Sequence, residues 1–263
     1  MFNRLSAESP FQDDLSFLIP DGQFNSLPLE LRELCEQYNA VGNDQKAAAA
    51  SDWPVSLFVP SSYEENYAYP LLIWFHDDCS SENELDVVMN AIGDQNYCGL
   101  GIRGNDKLSA VDCFGWRRDD LNFDGVELEQ LVNVTARRLR RAFHIHSERI
   151  FAAGCGTGAD VAMKLFAESP EWFAGAILID PPCETEFLLG APDELRGKHV
   201  LQTVAKSASN DVLAQNLAAV RVFRSAGVDI DVRVTEEPTD ACSNDARFID
   251  SWLMSRLNCA TYV

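Results

Sequence analysis

The stretch from Arg149 to Phe166 constrains this chain more than any other. It opens with a short apolar run, Ile150 to Ala153, of the kind that forms a strand buried on both faces. Glycines follow at alternate positions, Gly154, Gly156 and Gly158. Beyond them Val161, Ala162, Leu165 and Phe166 recur at helical spacing, and Pro170 stops the helix. Two chemistries use a strand that turns through glycine into a helix. One is the strained bend G-x-S-x-G, which holds a nucleophilic hydroxyl clear of the sheet. Gly156 stands where that bend needs serine. The other is the dinucleotide turn G-x-G-x-x-G/A, matched by Gly154, Gly156 and Ala159, with Asp180 at the end of the next apolar run as the ribose-binding acid. The third reading is a glycine turn that packs helix on strand and holds no ligand.

Charge separates these readings. The chain has 263 residues, 46% of them hydrophobic, enough for one large α/β domain, and carries a formal net charge of −20. A surface that acidic repels nucleic acid and anionic membrane and disfavours phosphate-rich ligands without a basic pocket, which counts against a dinucleotide. The eight cysteines are scattered, with no C-x-x-C pair and no metal-ligand spacing, so neither a metal nor a cofactor is expected. No secretory pattern follows Met1, and no apolar run approaches the ~20 residues that span a bilayer. The expected setting is soluble, reducing and cytoplasmic.

In chain order, residues 1–50 read as a polar arm with a helix from about Pro28 to Tyr38, and residues 51–263 as the main domain. Strands are expected at Val55 to Pro60, Pro70 to His76, Tyr97 to Arg103, Ala174 to Ile179, Lys198 to Ala205 and Val228 to Val234, the last an edge strand. Helices are expected from Val87 to Ile92, about Gly125 to Phe143, Val212 to Ala226, and Arg247 to Met254. Arg137, Arg138, Arg140 and Arg141 read as a solvated helix end, His144 and His146 as a loop pair and not a metal site, and His199 as structural.

The order of segments is itself a signal. Phe58 to Pro60, then Tyr67 to His76, then Ser81 to Leu85, then the glycine bend, then Pro170 to Asp180, resembles the phospholipase/carboxylesterase branch of the α/β-hydrolases over roughly residues 54–257. The resemblance implies an α/β-hydrolase fold, a mostly parallel central sheet with helices on both faces. It also implies a strand ending in His-Gly, whose following loop supplies one oxyanion-hole N–H. Here Asp77 follows His76 in place of that glycine.

Acyl transfer in such a family needs a serine, an acid and a histidine, in that chain order, and two backbone donors for the oxyanion. Gly156 replaces the serine, Asp211 stands at the acid position, and no histidine occurs after His199. Asp77 and Asp78 place negative charge where negative charge would develop. The first expectation is therefore an esterase homologue without triad chemistry, a pseudoenzyme that binds a small molecule or a protein through His76, Asp77, Gly156 and Thr157. The second is an active hydrolase with Cys155 as its nucleophile, although no downstream imidazole would activate that thiol. The third is a dinucleotide-binding protein. Gly156 is expected at φ > 0 on the C-terminal edge of a central parallel strand, with His76, Asp77, Asp211 and the loop from Thr239 to Cys242 gathered near it. The sequence carries no signal of oligomeric state.

Overall fold

The computed structural model describes residues 53–108, 111–117, 120–123, 125–184, 189, 192–239, 241 and 246–259. The expected arm and its helix lie outside them, as does Cys242. Strands β1 (Val55–Phe58), β2 (Tyr69–Phe75) and β3 (Cys98–Ile102) come first, with helix α1 (Glu84–Ile92) between β2 and β3. Two short hairpins follow, β4 (Asp106–Lys107) with β5 (Phe114–Gly115), and β6 (Asn122–Phe123) with β7 (Val126–Glu127). The chain continues through α2 (Leu128–Ala142), β8 (Ile145–Cys155), α3 (Thr157–Glu168), β9 (Gly175–Ile179) and the short α4 (Pro192–Leu195). It closes with β10 (His199–Ala205), α5 (Asn210–Ser225), β11 (Asp229–Thr235) and α6 (Arg247–Cys259).

The main sheet runs β1-β3-β2-β8-β9-β10-β11. Its neighbours are all parallel except β1, which pairs antiparallel with β3. Every residue of β2 is buried, and the pleat sends alternate side chains to opposite faces. Leu71, Ile73 and Phe75 pack with Leu131 and Leu139 of α2, Val161 and Phe166 of α3, and Phe223 of α5. Leu72 and Trp74 face the other layer, with Leu85 and Met89 of α1 and Ile249 and Leu253 of α6. An uninterrupted apolar strand is thus the sequence signature of a sheet covered on both sides. Tyr97 ties the second layer to the sheet, its hydroxyl donating to Asp250 Oδ1 at 2.8 Å. Among the described residues no helix is long and apolar enough to cross a membrane.

Most expected elements fall within a few residues of their places, and three differ for identifiable reasons. Helix α2 starts at Leu128 and not near Gly125, because Gly125 (φ +91°) turns the β6–β7 hairpin and its N–H donates to Asn122 Oδ1 at 2.7 Å. Strand β8 begins at Ile145, so the His144–His146 segment is not a loop pair but the start of a strand, where Ile145 pairs with Tyr69. Within the arginine run only Arg137 is the exposed side chain of a solvated helix end. Arg138 is only 3% exposed, and Arg140 and Arg141 are partly buried, because the helix turns this side toward β8.

Close approach at Gly158 sets how α3 meets the sheet. A Cβ there would overlap the carbonyl oxygens of Phe75 and His76 at the end of β2. Backbone cannot yield as a flexible side chain can, so Gly158→Ala should destabilise the fold by about 3 kcal/mol, measured by urea denaturation. A loss under about 0.5 kcal/mol would show that α3 sits farther from β2 than described here.

Candidate functional site

The C-terminal ends of parallel strands are where open α/β sheets place ligands. Here β8 ends in the bend at Gly156, with φ +53° and ψ −123°, a conformation that side-chain-bearing residues reach only under strain. Gly156 N–H donates to Ile179 O of β9 at 2.9 Å, which locks the bend to the neighbouring strand. The expected position and sign of φ are both observed.

Asp77 reaches into this bend. Its Oδ1 accepts Thr157 N–H at 2.9 Å and Asp78 N–H at 2.8 Å, and lies 3.1 Å from Thr157 Oγ1. The Thr157 hydroxyl is also 3.0 Å from Asp78 Oδ1, so its one proton is shared between two carboxylates. A Cβ added at Gly156 would fall inside the Asp77 carboxylate group. In the G-x-S-x-G bend the oxyanion hole consists of the N–H after the nucleophile and one from the loop after the preceding strand. Thr157 and Asp78 N–H hold those two places here, and both already donate to one carboxylate oxygen, within the 2.7–3.1 Å expected for an oxyanion. The carboxylate also meets the positive end of the α3 dipole.

His76 closes β2 and is fully buried. Its Nδ1 lies 2.7 Å from Asp77 O, and its Nε2 accepts Gly104 N–H at 2.9 Å. The first contact requires a proton on Nδ1 and the second a bare Nε2, so the ring is neutral with its tautomer set by the backbone. Trp116 Nε1 donates to His76 O at 2.8 Å and fixes the strand end further. Both ring nitrogens are therefore engaged within the fold, and burial holds the imidazole below its usual pKa.

The loop after His76 is braced by charge. Glu82, 4% exposed, forms a bidentate ion pair with Arg103, whose guanidinium also lies 4.5 Å from the Phe114 ring centre. Glu84 Oε1 accepts the Trp74 indole N–H at 3.0 Å. The acidic helix start visible in the sequence is thus fastened to the core.

Sequence reasoning placed Asp211 at this edge as the acid. It lies in the first turn of α5, exposed; Asp180, the residue after β9, follows Ile179, whose carbonyl accepts the Gly156 N–H. Asp180 has φ +47°, and its Oδ2 accepts Thr239 N–H at 2.5 Å, which folds the loop after β11 onto the strand end. Its Oδ1 is buried and has no hydrogen-bond partner among the described residues. Buried Asp160 of α3 was also missed; it accepts Cys183 and Glu184 N–H at 2.8 and 2.9 Å and holds the loop leaving β9. The signal for Asp180 in the sequence is an acid directly after an apolar run, a position that also suits a ribose ligand. Nothing local marks Asp160.

The remaining histidines lie elsewhere. His144 and His146 flank the start of β8, and His199 begins β10, its Nδ1 3.2 Å from Asp229 Oδ2. These positions belong to the N-terminal ends of the parallel strands, opposite the bend. Cys155 is the last residue of β8, partly buried, beside Ile179. Among the described residues no group of three or more His, Cys, Asp or Glu side chains is disposed to hold a metal ion.

This architecture is shared with solved structures. A carboxylesterase from Bacillus cereus superposes with a TM-score of 0.60 at 17% identity, over 81% of this chain and 100% of that one. A carboxylesterase from Mesorhizobium loti gives 0.57 at 19% identity, over 77% and 94% of the two chains. A phospholipase/carboxylesterase from Dyadobacter fermentans gives 0.54 at 9% identity, over 77% and 96%. No family model matches the chain, and no curated protein matches it. The fold is that of the α/β-hydrolases, and its neighbours are esterase-like, as the order of segments implied.

Two outcomes follow from this geometry. Asp77→Ala should cost about 1–2 kcal/mol in chemical denaturation through loss of the acceptor at the start of α3, and Asp77→Asn, which keeps an acceptor, should cost less. Equal losses in both would assign the effect to charge alone. For His76, the folded pKa lies below the ordinary 6.5, so as pH falls through 6.5 the unfolded chain binds a proton that the native ring refuses. The stability due to neutral His76 is present above pH 6.5 and is lost as pH falls toward the folded value. An NMR titration of the His76 ring should give a midpoint under 6.5; one at or above it would contradict the assigned tautomer.

Proposed function

We propose that this chain is a non-catalytic member of the esterase-like α/β-hydrolases, a pseudoenzyme that uses the edge around Gly156 to bind a small molecule or a protein. The observation that carries the reading is the Asp77 carboxylate, seated on the two N–H groups that would otherwise stabilise an oxyanion. A second anion at the same donors would meet a full negative charge at contact distance. Gly156 supplies no hydroxyl, and the one imidazole at this edge, His76, has both nitrogens engaged. In a serine-triad enzyme the loss of either serine or histidine removes about 10⁶ of turnover. That corresponds to about 8 kcal/mol of transition-state stabilisation. The N-terminus of α3, where a pyrophosphate would sit in a dinucleotide-binding protein, is taken by the same carboxylate, which disfavours that alternative. A reducing, cytoplasmic setting belongs to the reading, supported by cysteines without paired spacing.

Hydrolysis of p-nitrophenyl acetate tests it. The chain should show no turnover above background, and Gly156→Ser should be equally inactive and also less stable, by about 1–3 kcal/mol, because the added side chain strains the bend and displaces Asp77. The double variant Asp77→Gly, Gly156→Ser should stay inactive for want of a base. Turnover in the unaltered chain that disappears in Cys155→Ala would overturn the proposal in favour of a cysteine hydrolase.

A further inference from the structure

The opposite end of the sheet carries a second concavity, about 20 Å from the bend along β8, reckoned at ~3.3 Å per residue between Ile150 and Gly156. It is a cavity of about 190 Å³ between α2, the first half of β8 and the 3₁₀ turn at Pro170–Trp172. Behind it lie the buried side chains of Ile73, Val132, Ile150 and Phe173, and the partly exposed Trp172 belongs to its lining. Arg137 and Arg140, one helical turn apart on α2, line it as well. Neither guanidinium has an ion-pair partner among the described residues, although the chain as a whole carries a net charge of −20. Two arginines at one hollow, without an ion-pair partner among the described residues of so acidic a protein, suit an anion. Burial and the adjacent Arg137 charge both act against the proton on Arg140, and an anionic ligand would relieve both effects.

We propose that this cavity is a binding site for a small monocarboxylate with an apolar body. The carboxylate lies between Arg137 and Arg140, where a planar guanidinium can donate two parallel hydrogen bonds. The hydrocarbon part lies against the partly exposed Trp172 ring and the aliphatic stems of the two arginines. Asn133 and Ser147, also in the lining, offer further donors at the mouth. Glu171 is the opposing feature, because it brings a carboxylate to the rim. Lys198, half-buried nearby with Nζ donating to Phe173 O at 2.6 Å, feels the charge of Glu194 first and of Glu171 second. Glu171 therefore opposes a dianion such as a phosphate monoester more than it opposes a single negative charge. This site is independent of the reading given to the Gly156 edge, since it shares no residue with it.

The test is titration of the full chain with hexanoate, hexanamide and inorganic phosphate, followed by calorimetry and by the Trp172 indole NMR signal. Hexanoate should bind saturably with a Kd on the order of 1 mM and shift that indole signal. Hexanamide, the same size without the charge, should bind at least about tenfold more weakly, as should hexanoate to Arg140→Gln. Arg137→Gln, on an exposed side chain, provides a second variant should Arg140→Gln fail to fold, and its affinity should also fall. Absence of saturable hexanoate binding, equal affinity for hexanamide, tighter binding of phosphate, or unchanged affinity in a folded arginine variant would each overturn the proposal.

Discussion

One carboxylate oxygen organises the functional edge of this protein. Asp77 Oδ1 joins the loop after β2 to the first turn of α3 through Thr157 N–H, and it settles its own loop through Asp78 N–H. Each donor is a group that a helix start or a tight loop leaves without a backbone partner. The bond therefore satisfies backbone groups, meets the positive end of the helix dipole, and fills the volume vacated by a missing side chain at Gly156. Those gains come from a single side chain because the bend brings the ends of adjacent parallel strands β2 and β8 together.

The same geometry explains how glycine serves at the centre of this bend. A serine in this conformation carries strain on the order of 1–3 kcal/mol, which a functioning triad offsets through catalysis. Glycine adopts φ +53° without that cost. The turn then serves packing. Its N–H bonds to β9, Gly158 lets α3 lie directly on the end of β2, and Phe166 reaches the core beside Phe223. A catalytic frame and a structural frame are the same object at this point, and they differ in what occupies the donors.

Charge at the two ends of the sheet differs in kind. Asp77, Asp78 and Asp180 lie at the C-terminal ends of the strands, while at the start of β8 Arg140, Arg149 and Glu148 surround His146. Helix position alone placed the arginine run near a C-terminus, where cations are favoured. It did not reveal that the run faces a hollow, because facing depends on the angle at which α2 lies across the sheet.

Much of the fold was legible because the periodicities are local. The apolar run from Leu71 to Phe75 and the helical spacing of Val161, Leu165 and Phe166 each report their own burial within a few residues. The composition likewise determined that no histidine follows His199, and the glycine spacing determined a bend free to adopt positive φ. Tertiary structure alone decided what fills that bend. Asp77 and Thr157 are 80 positions apart, and Asp180 and Thr239 are 59 apart. Such contacts depend on which strands become neighbours and where each side chain then points. Asp77 could be read from the chain as a negative charge following a strand; that its oxygen accepts both the Thr157 and Asp78 N–H groups follows only from the packing of β2 against β8.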